Sequence, residues 1–459
     1  MIYPWKVLSS WAPFKIDALG LVTLLGADEV NTSVGRLAPS YWMEFMPLLA
    51  GFVFAGDRFR SKQASFTLYN VSSGIVTGNI ASWFTRWMQT QDFERSRSLV
   101  YWEVQAIPRK SWGNFIVAVI ISFAVTGLLI AMTILASDWY GFANATALVF
   151  LTAVRSYLLQ SHRNAIDREV KAARPLPTTF AGALEEWEKN IKNDRSAPKP
   201  EKDSRKWRPE LVKVLIDLPD SRLVTMFMPE HLIRPVFVTD TTPSSPWVYR
   251  LAQWVGWVAF CVHIVTLGMA QLATQLYVVV IMVLSTVLIC YGFGCDDSTL
   301  YKWWHQARYG DAPSSYSCWV GTYLRATVSE WPSDFEFVRG KDGAWSRRLA
   351  SDFLKREQRS TARQDLYAWL DLSPEEMRSM SDWHLLPHRR DHDDSWWTDF
   401  AAKRLLVQRN PLDISLLKEQ KEHHSRMGER KDEDLDCRFS QCGDMEKGNS
   451  NNHSSIRCR

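Results

Sequence analysis

The sequence predicts a mainly α-helical membrane protein, with two transmembrane helical hairpins, four spans in all, carrying cytosolic α+β segments. Three observations predict this. Four stretches of the 459-residue chain hold almost no charge, although Asp, Glu, Lys and Arg make up 23% of it. The chain has 22 Trp, a residue that collects at bilayer interfaces because its ring is amphipathic. Basic residues flank the four stretches on one side only.

Residues 1–114 form the N-terminal region. Its opening, MIYPWKVLSSW, lacks the apolar core and small-residue cleavage site of a secretory leader. Within it, Ala38 to Gly56 is long enough to cross a bilayer only at the lower limit, and it carries Glu44 and Pro47. Two readings follow. If it crosses, there are five spans, residues 1–37 face outside, and the sequon at Asn31 is open to glycosylation. If it does not, there are four.

The first hairpin covers 115–159. Phe115 to Ala136 is 22 uncharged residues, about 33 Å of helix, enough for a bilayer core of about 30 Å. Ser137 to Tyr140 makes the turn, and Gly141 to Leu159 returns. Arg155 lies about one turn from the end of that span, where a long side chain is expected to snorkel to the interface. The second hairpin covers 251–293. Leu251 to Leu272 and Leu276 to Phe293 are its spans, and Ala273-Thr274-Gln275 its turn. Lipid leaves no partner for a free backbone amide, so all four runs must be helices. Arg95, Arg97, Arg109 and Lys110 precede the first span, and Arg163, Arg168, Lys171 and Arg174 follow the second. Arg250 precedes the third, and Lys302 and Arg308 follow the fourth. By the positive-inside rule both hairpins enter from the cytosol and return there, and the C-terminus is cytosolic.

Residues 160–250 are a cytosolic loop. Its start, His162 to Lys171, continues the second helix. Ala197 to Arg208 is a Pro-rich charged linker. Leu211–Leu218 and Arg222–Met228 around Pro219-Asp220-Ser221 read as a β-hairpin, with Pro235–Thr239 as a third strand of a small meander. Residues 294–411 are a Trp-rich, helical cytosolic region. Trp345 to Leu372 has helical spacing. Ser373-Pro374-Glu375-Glu376 looks like a capped helix start. Trp396 to Gln408 reads as an amphipathic helix with Phe400, Ala401 and Leu405 on one face. Residues 412–459 are a polar tail expected to be disordered.

Composition excludes several classes. With 46% hydrophobic residues and 7 Cys, the chain is not mainly disordered, collagen-like or a disulfide scaffold. The net charge of +4 gives no argument for nucleic acid. The odd, scattered cysteines suit reduced thiols, and Cys437 and Cys442 are too isolated for a zinc site. Cys295, beside a helix end, is an acylation candidate.

His263 sits near the middle of the third span. An ionisable residue there is a functional candidate, although a neutral imidazole also bonds a neighbouring helix, which is the favoured reading. Asp296-Asp297 follows the fourth span directly. Two carboxylates at a membrane surface could hold Mg²⁺ against a diphosphate, but the second acidic half of such a motif is missing, and a polar helix end is the simpler reading. His384, His388 and His392 are spaced by four beside Asp391, Asp393 and Asp394. Pro387 interrupts that helix, and Arg389 and Arg390 add positive charge, so a solvated loop is preferred over a metal site. No phosphate-binding Gly-rich loop, nucleophile elbow, H-E-x-x-H or kinase set occurs. No catalytic residue, cofactor or metal is therefore assigned.

Three segments taken together, APSYWMEFMPLLAGFVFAGDRFRSK (Ala38–Lys62), SDWYGFANATAL (Ser137–Leu148) with Arg155 and Arg163–Asp167, and VKVLIDLPDSRLVTMF (Val212–Phe227), resemble uncharacterised multipass membrane proteins of filamentous fungi. The resemblance covers about residues 20–310. It implies membrane architecture and a eukaryotic setting, and transfers no activity or site residue. The expected function is a non-enzymatic membrane anchor or scaffold for cytosolic modules, with the bilayer and unidentified proteins as partners. The alternatives are a transport or channel subunit with His263 on its path, and a membrane enzyme acting on a lipid-like substrate.

Overall fold

The computed structural model describes residues 27–49, 51–105, 112–173, 211–298, 302–304, 307–308, 315–330, 336–347, 360–388 and 394–409. The linker at 197–208 and the tail from 412 lie outside them. In chain order the elements are α1 (Ala27–Gly35), β1 (Thr67–Asn70), β2 (Ile75–Thr77), α2 (Ser82–Thr90) and β3 (Ser98–Val104). Then come α3 (Trp112–Leu135), α4 (Trp139–Ala172), β4 (Leu211–Asp217), β5 (Leu223–Pro229), α5 (Pro246–Met269) and α6 (Leu272–Cys290). The last are β6 (Ser315–Val320), β7 (Leu324–Glu330), β8 (Phe337–Arg339), β9 (Trp345–Arg347), α7 (Arg363–Trp369), α8 (Pro374–Asp382) and α9 (Ser395–Arg409). The chain divides into two compact units, Met1–Ser333 with Ser373–His388, and Asp334–Leu372 with Arg389–Arg459.

In the first unit, α3 to α6 are, among the described residues, the four helices long and apolar enough to cross a membrane. They match the four expected spans. The second turn falls at Ala270–Gln271, not at Ala273–Gln275, because Thr274 and Gln275 are already helical. Over its described residues, Ala38–Gly56 is a set of turns ending in one helical turn, Phe52–Ala55. A fifth spanning helix is therefore not formed. Glu44 and Arg163 explain why: the loop folds back to pair them, as described below.

Strands β1 to β7 form one sheet, ordered β2-β1-β4-β5-β3-β7-β6, and β8 pairs with β9 separately in the second unit. All pairs are antiparallel except β3 with β5. The expected β4–β5 hairpin lies at its centre. The third meander strand is not there, since Ile233–Val238 is a π-helical turn. Pro235 has no N–H to give a central ladder, and β3 takes the place beside β5 instead, with Val100 opposite Met226. The region 57–114 thus supplies three strands, and 315–330 adds two more inside a region expected to be helical. These strands are 3–7 residues long, and their side chains pack only once distant partners are present.

One face of the sheet is apolar: Val214, Ile216, Met226, Val100, Trp102 and Ala326 share a core. α2 covers this face. Its Trp87 lies 4.8 Å from the Trp102 ring, and Phe84 lies 4.9 Å from Phe237. The same core receives Leu158, Ile166 and Val170 of α4. That helix has 34 residues, about 51 Å, so it runs out of the apolar bundle and onto the sheet without a break. Its far end is tied down by Asp167, which accepts from the Thr322 backbone N–H at 2.9 Å and hydroxyl at 2.7 Å in the β6–β7 turn. Gly321 beside it has φ +70°, and a Cβ there would meet Asp167 Oδ1 at 2.5 Å, so only glycine fits. On α8, Ser373 is the expected cap, Glu376 completes a capping box with it, and Glu376 reaches Lys213 Nζ of β4 at 3.0 Å.

In the second unit, α9 packs on α7 through Lys403, whose ammonium is 2.7 Å from Asp365 and 3.9 Å from the Trp345 ring centroid. Trp345 opens a strand, not a helix. α9 occupies the expected position, but its buried face is Phe400, Lys403 and Val407, while Ala401 and Leu405 are exposed. Positions 400, 403 and 407 follow the 3.6-residue period, and 401 and 405 fall one side of it.

Candidate functional site

The Asp296–Asp297 pair lies in the loop after α6. Gly292 and Gly294, at φ +68° and +78°, let that loop fold back under the bundle. The two carboxylates do not converge. Asp296 accepts from the Tyr41 hydroxyl at 2.8 Å. Asp297 is buried and pairs with Arg36 at 2.7 Å, while its Oδ2 also accepts from Gln91 Nε2 at 2.8 Å. Gln91 in turn accepts from the Tyr316 hydroxyl at 3.0 Å. This is a structural ion pair joining α1, α2 and the post-α6 loop, and it leaves no shared face for a metal. Burial pushes the Cys295 thiol up to about 11 despite the nearby Arg36 guanidinium.

A second cluster lies beside it. Glu44 accepts from Arg163 Nη1 at 2.7 Å. Arg163 also donates to the carbonyls of Leu37 and Ala38, at 2.8 and 3.3 Å. Burial alone would raise the Glu44 carboxyl, but the Arg163 guanidinium holds it below its ordinary value. Arg155 does not snorkel outward. It is buried and donates to the Glu44 carbonyl at 2.5 Å, with its guanidinium 5.9 Å from the Phe54 ring. A small cavity is lined here by Ser33, Arg36, Ser40, Glu44, Arg155 and Arg163, among others. The loop that carries Glu44 then enters the bundle. The Phe45 carbonyl accepts from Ser122 of α3 at 2.8 Å, Leu49 N–H donates to Thr286 of α6 at 3.0 Å, and Phe52 meets Phe260 of α5. Leu49 shares one apolar cluster with Leu129, Leu148, Leu267 and Met282, one from each of the four helices. The signal for this cluster was in the sequence: Glu44 and Arg155 are opposite charges set in apolar runs, and such residues seek partners.

His263 is fully buried. Its Nδ1 lies 3.1 Å from Asn144 Nδ2, which also donates to the His263 carbonyl at 2.9 Å. Because Asn144 Nδ2 is a donor, His263 Nδ1 is the acceptor and the ring is neutral. The pair ties α4 to α5, the structural role expected of His263. His263→Ala is expected to lower thermal stability by about 1–2 kcal/mol, the size of an interhelical hydrogen bond, read as a melting shift in detergent. At the turn end, Asp138 joins the two hairpins by accepting from Gly141 N–H, Gln271 N–H and the Thr274 hydroxyl, at 2.8–2.9 Å.

A further polar chain was not foreseen. Tyr249 donates to Asp57 at 2.7 Å and meets His162 Nε2 at 2.9 Å, so Nε2 carries the proton and donates to the phenol oxygen. Asp57 sits at φ +55°, a strained conformation that aims its carboxylate at Tyr249 and Arg60. Of the histidine cluster, His384 and His388 touch each other at 2.9 Å, and His392 lies outside the described residues. Among the described residues no three metal-ligating side chains converge. Asn31 is on α1, which packs against α2 and α6 at the sheet end of the bundle. Cys437 and Cys442 lie outside the described residues.

The fold and these clusters define a four-helix apolar bundle joined to a seven-stranded sheet through a shared core. The chain matches no known family, no curated protein and no solved structure.

Proposed function

We propose that this chain is an integral multipass membrane protein acting as a non-enzymatic platform, its bundle holding the sheet unit rigidly at the cytosolic face for protein partners. The observation that carries this reading is α4. One uninterrupted helix contributes both to the apolar bundle, through Leu148, and to the sheet core, through Leu158 and Ile166. A sheet built on a helix that continues from the bundle cannot swing on a linker. The ionisable groups that suggested catalysis or transport support the same reading, because Asp297, Asp296 and His263 are each engaged by named structural partners.

Orientation is tested by glycosylation and protease mapping in microsomes. With four spans, Asn31 stays unglycosylated and both ends are cut by added protease. Glycosylated Asn31 would place α1 outside and remove the platform reading. The transport alternative has its own measurement. In sealed vesicles, a solute flux lost in His263→Ala at unchanged protein abundance would favour transport, whereas the platform has no such flux to lose.

A further inference from the structure

The cavity beside Arg155 presents more positive charge than the protein neutralises. Three guanidinium groups line it: Arg36, Arg155 and Arg163. Asp297 pairs with Arg36 and Glu44 with Arg163. Arg155 is buried, yet among the described residues it has no carboxylate within ion-pair distance; the bond to the Glu44 carbonyl is its polar contact. The nearest carboxylate, Glu44, is already paired with Arg163, so the buried Arg155 charge is only partly compensated and an anion at this position is favoured.

The depth of the cavity says what kind of anion. Arg155 is 16 residues from the start of α4, about 24 Å along the helix, and Arg163 is 24 residues, about 36 Å. A hydrocarbon core of about 30 Å ends between them. Ile289, in the last turn of α6, lines the same cavity and marks the same level. Lipid phosphates lie just outside that boundary, so Arg163 stands at their level and Arg155 just beneath it. A planar guanidinium donates two parallel N–H bonds to phosphate oxygens, a geometry an ammonium cannot copy. The cavity is too small for acyl chains, so only a headgroup phosphate could enter it.

We propose that this cavity binds the phosphate of an anionic phospholipid of the basic-side leaflet, with Arg155 as its principal partner and Arg36 and Arg163 lending positive field. The proposal rests only on the four helices crossing a bilayer, not on the platform role.

The test uses the full chain in detergent, with dihexanoyl phosphatidic acid and inorganic phosphate as separate probes and the melting temperature as readout. Phosphatidic acid is expected to raise the wild-type melting point in a saturable way, since a ligand bound only by the folded state stabilises it. Inorganic phosphate is expected to bind at least about tenfold more weakly, lacking the chains held at the bundle surface. Arg155→Gln is expected to melt no lower than wild type without ligand, because it removes a partly compensated charge, and to lose most of the lipid-induced shift. Arg155→Lys should recover only part of it. No shift of the wild type with either probe would overturn the site. Equal affinity for both probes would overturn the lipid assignment and leave a soluble phosphate as ligand. A full lipid shift in Arg155→Gln would overturn the role of Arg155. If Arg155→Gln fails to fold, the two wild-type titrations still decide the first two questions.

Discussion

Replacing Asp297 with alanine is expected to destabilise the protein by about 3–5 kcal/mol, the cost of leaving one member of a buried ion pair without its partner. Both side chains are almost wholly covered, 5% exposed for Arg36 and 1% for Asp297. The Arg36 guanidinium would keep the Thr90 hydroxyl at 3.4 Å, and Gln91 Nε2 would lose the shorter of its two acceptors, keeping the Thr90 hydroxyl at 3.3 Å. The contact holds α1 and α2 to the loop after α6, so the loss falls on the junction between bundle and sheet. A charge-reversal-free control separates the pair from the fold: Arg36→Met with Asp297→Leu removes both charges and is expected to recover most of the loss. Thermal melts of the single and double variants measure this. A single variant that melts like wild type would mean that water reaches Arg36.

Glu44→Gln carries the second large effect, again about 3–5 kcal/mol, because it strands Arg163 and leaves Arg155 beside a second unneutralised guanidinium. The re-entrant loop should then loosen from the bundle, with increased amide exchange over Ala38–Leu49. The sign of the pH dependence follows from the carboxyl. The Glu44 folded value is below its ordinary 4.5. Its contribution is therefore fully present above about that pH and is lost as pH falls through the lower folded value. Wild type should lose stability in that acid window, and Glu44→Gln should lack that component. A variant with the same acid profile as wild type would place the titration elsewhere. Phosphatidic acid is also expected to stabilise Glu44→Gln more than wild type, since the anion would meet one more unpaired guanidinium.

The four apolar helices were legible because length and hydropathy are local. Phe115 to Ala136 needs no partner to be read as helix: in lipid its backbone has no alternative. The Ser373 cap was legible for the same reason, since its hydrogen bonds close within four residues. The β4–β5 hairpin was legible because its turn is local. What misled was composition read without partners. Ala38–Gly56 is apolar enough to suggest a span, yet Glu44 has Arg163 waiting 119 positions away, and that pair folds the segment into a loop. Pro235–Thr239 is apolar and short enough to suggest a strand, but β3, from more than a hundred residues earlier, already occupies the edge of β5.

The sequence by itself determined the number of long apolar helices, their pairing into hairpins, the basic residues on one side of them, the Ser373 cap and the β4–β5 turn, all properties of short stretches. Only the tertiary structure decided that the strands of 67–104 and 315–330 join one sheet with β4 and β5, that α4 is shared by bundle and sheet, and that three arginines converge on one cavity. Arg36 and Asp297 stand 261 positions apart. Nothing near either residue distinguishes a buried ion pair from a solvated surface charge, because the desolvation that makes the pair matter exists only after the chain has closed around it.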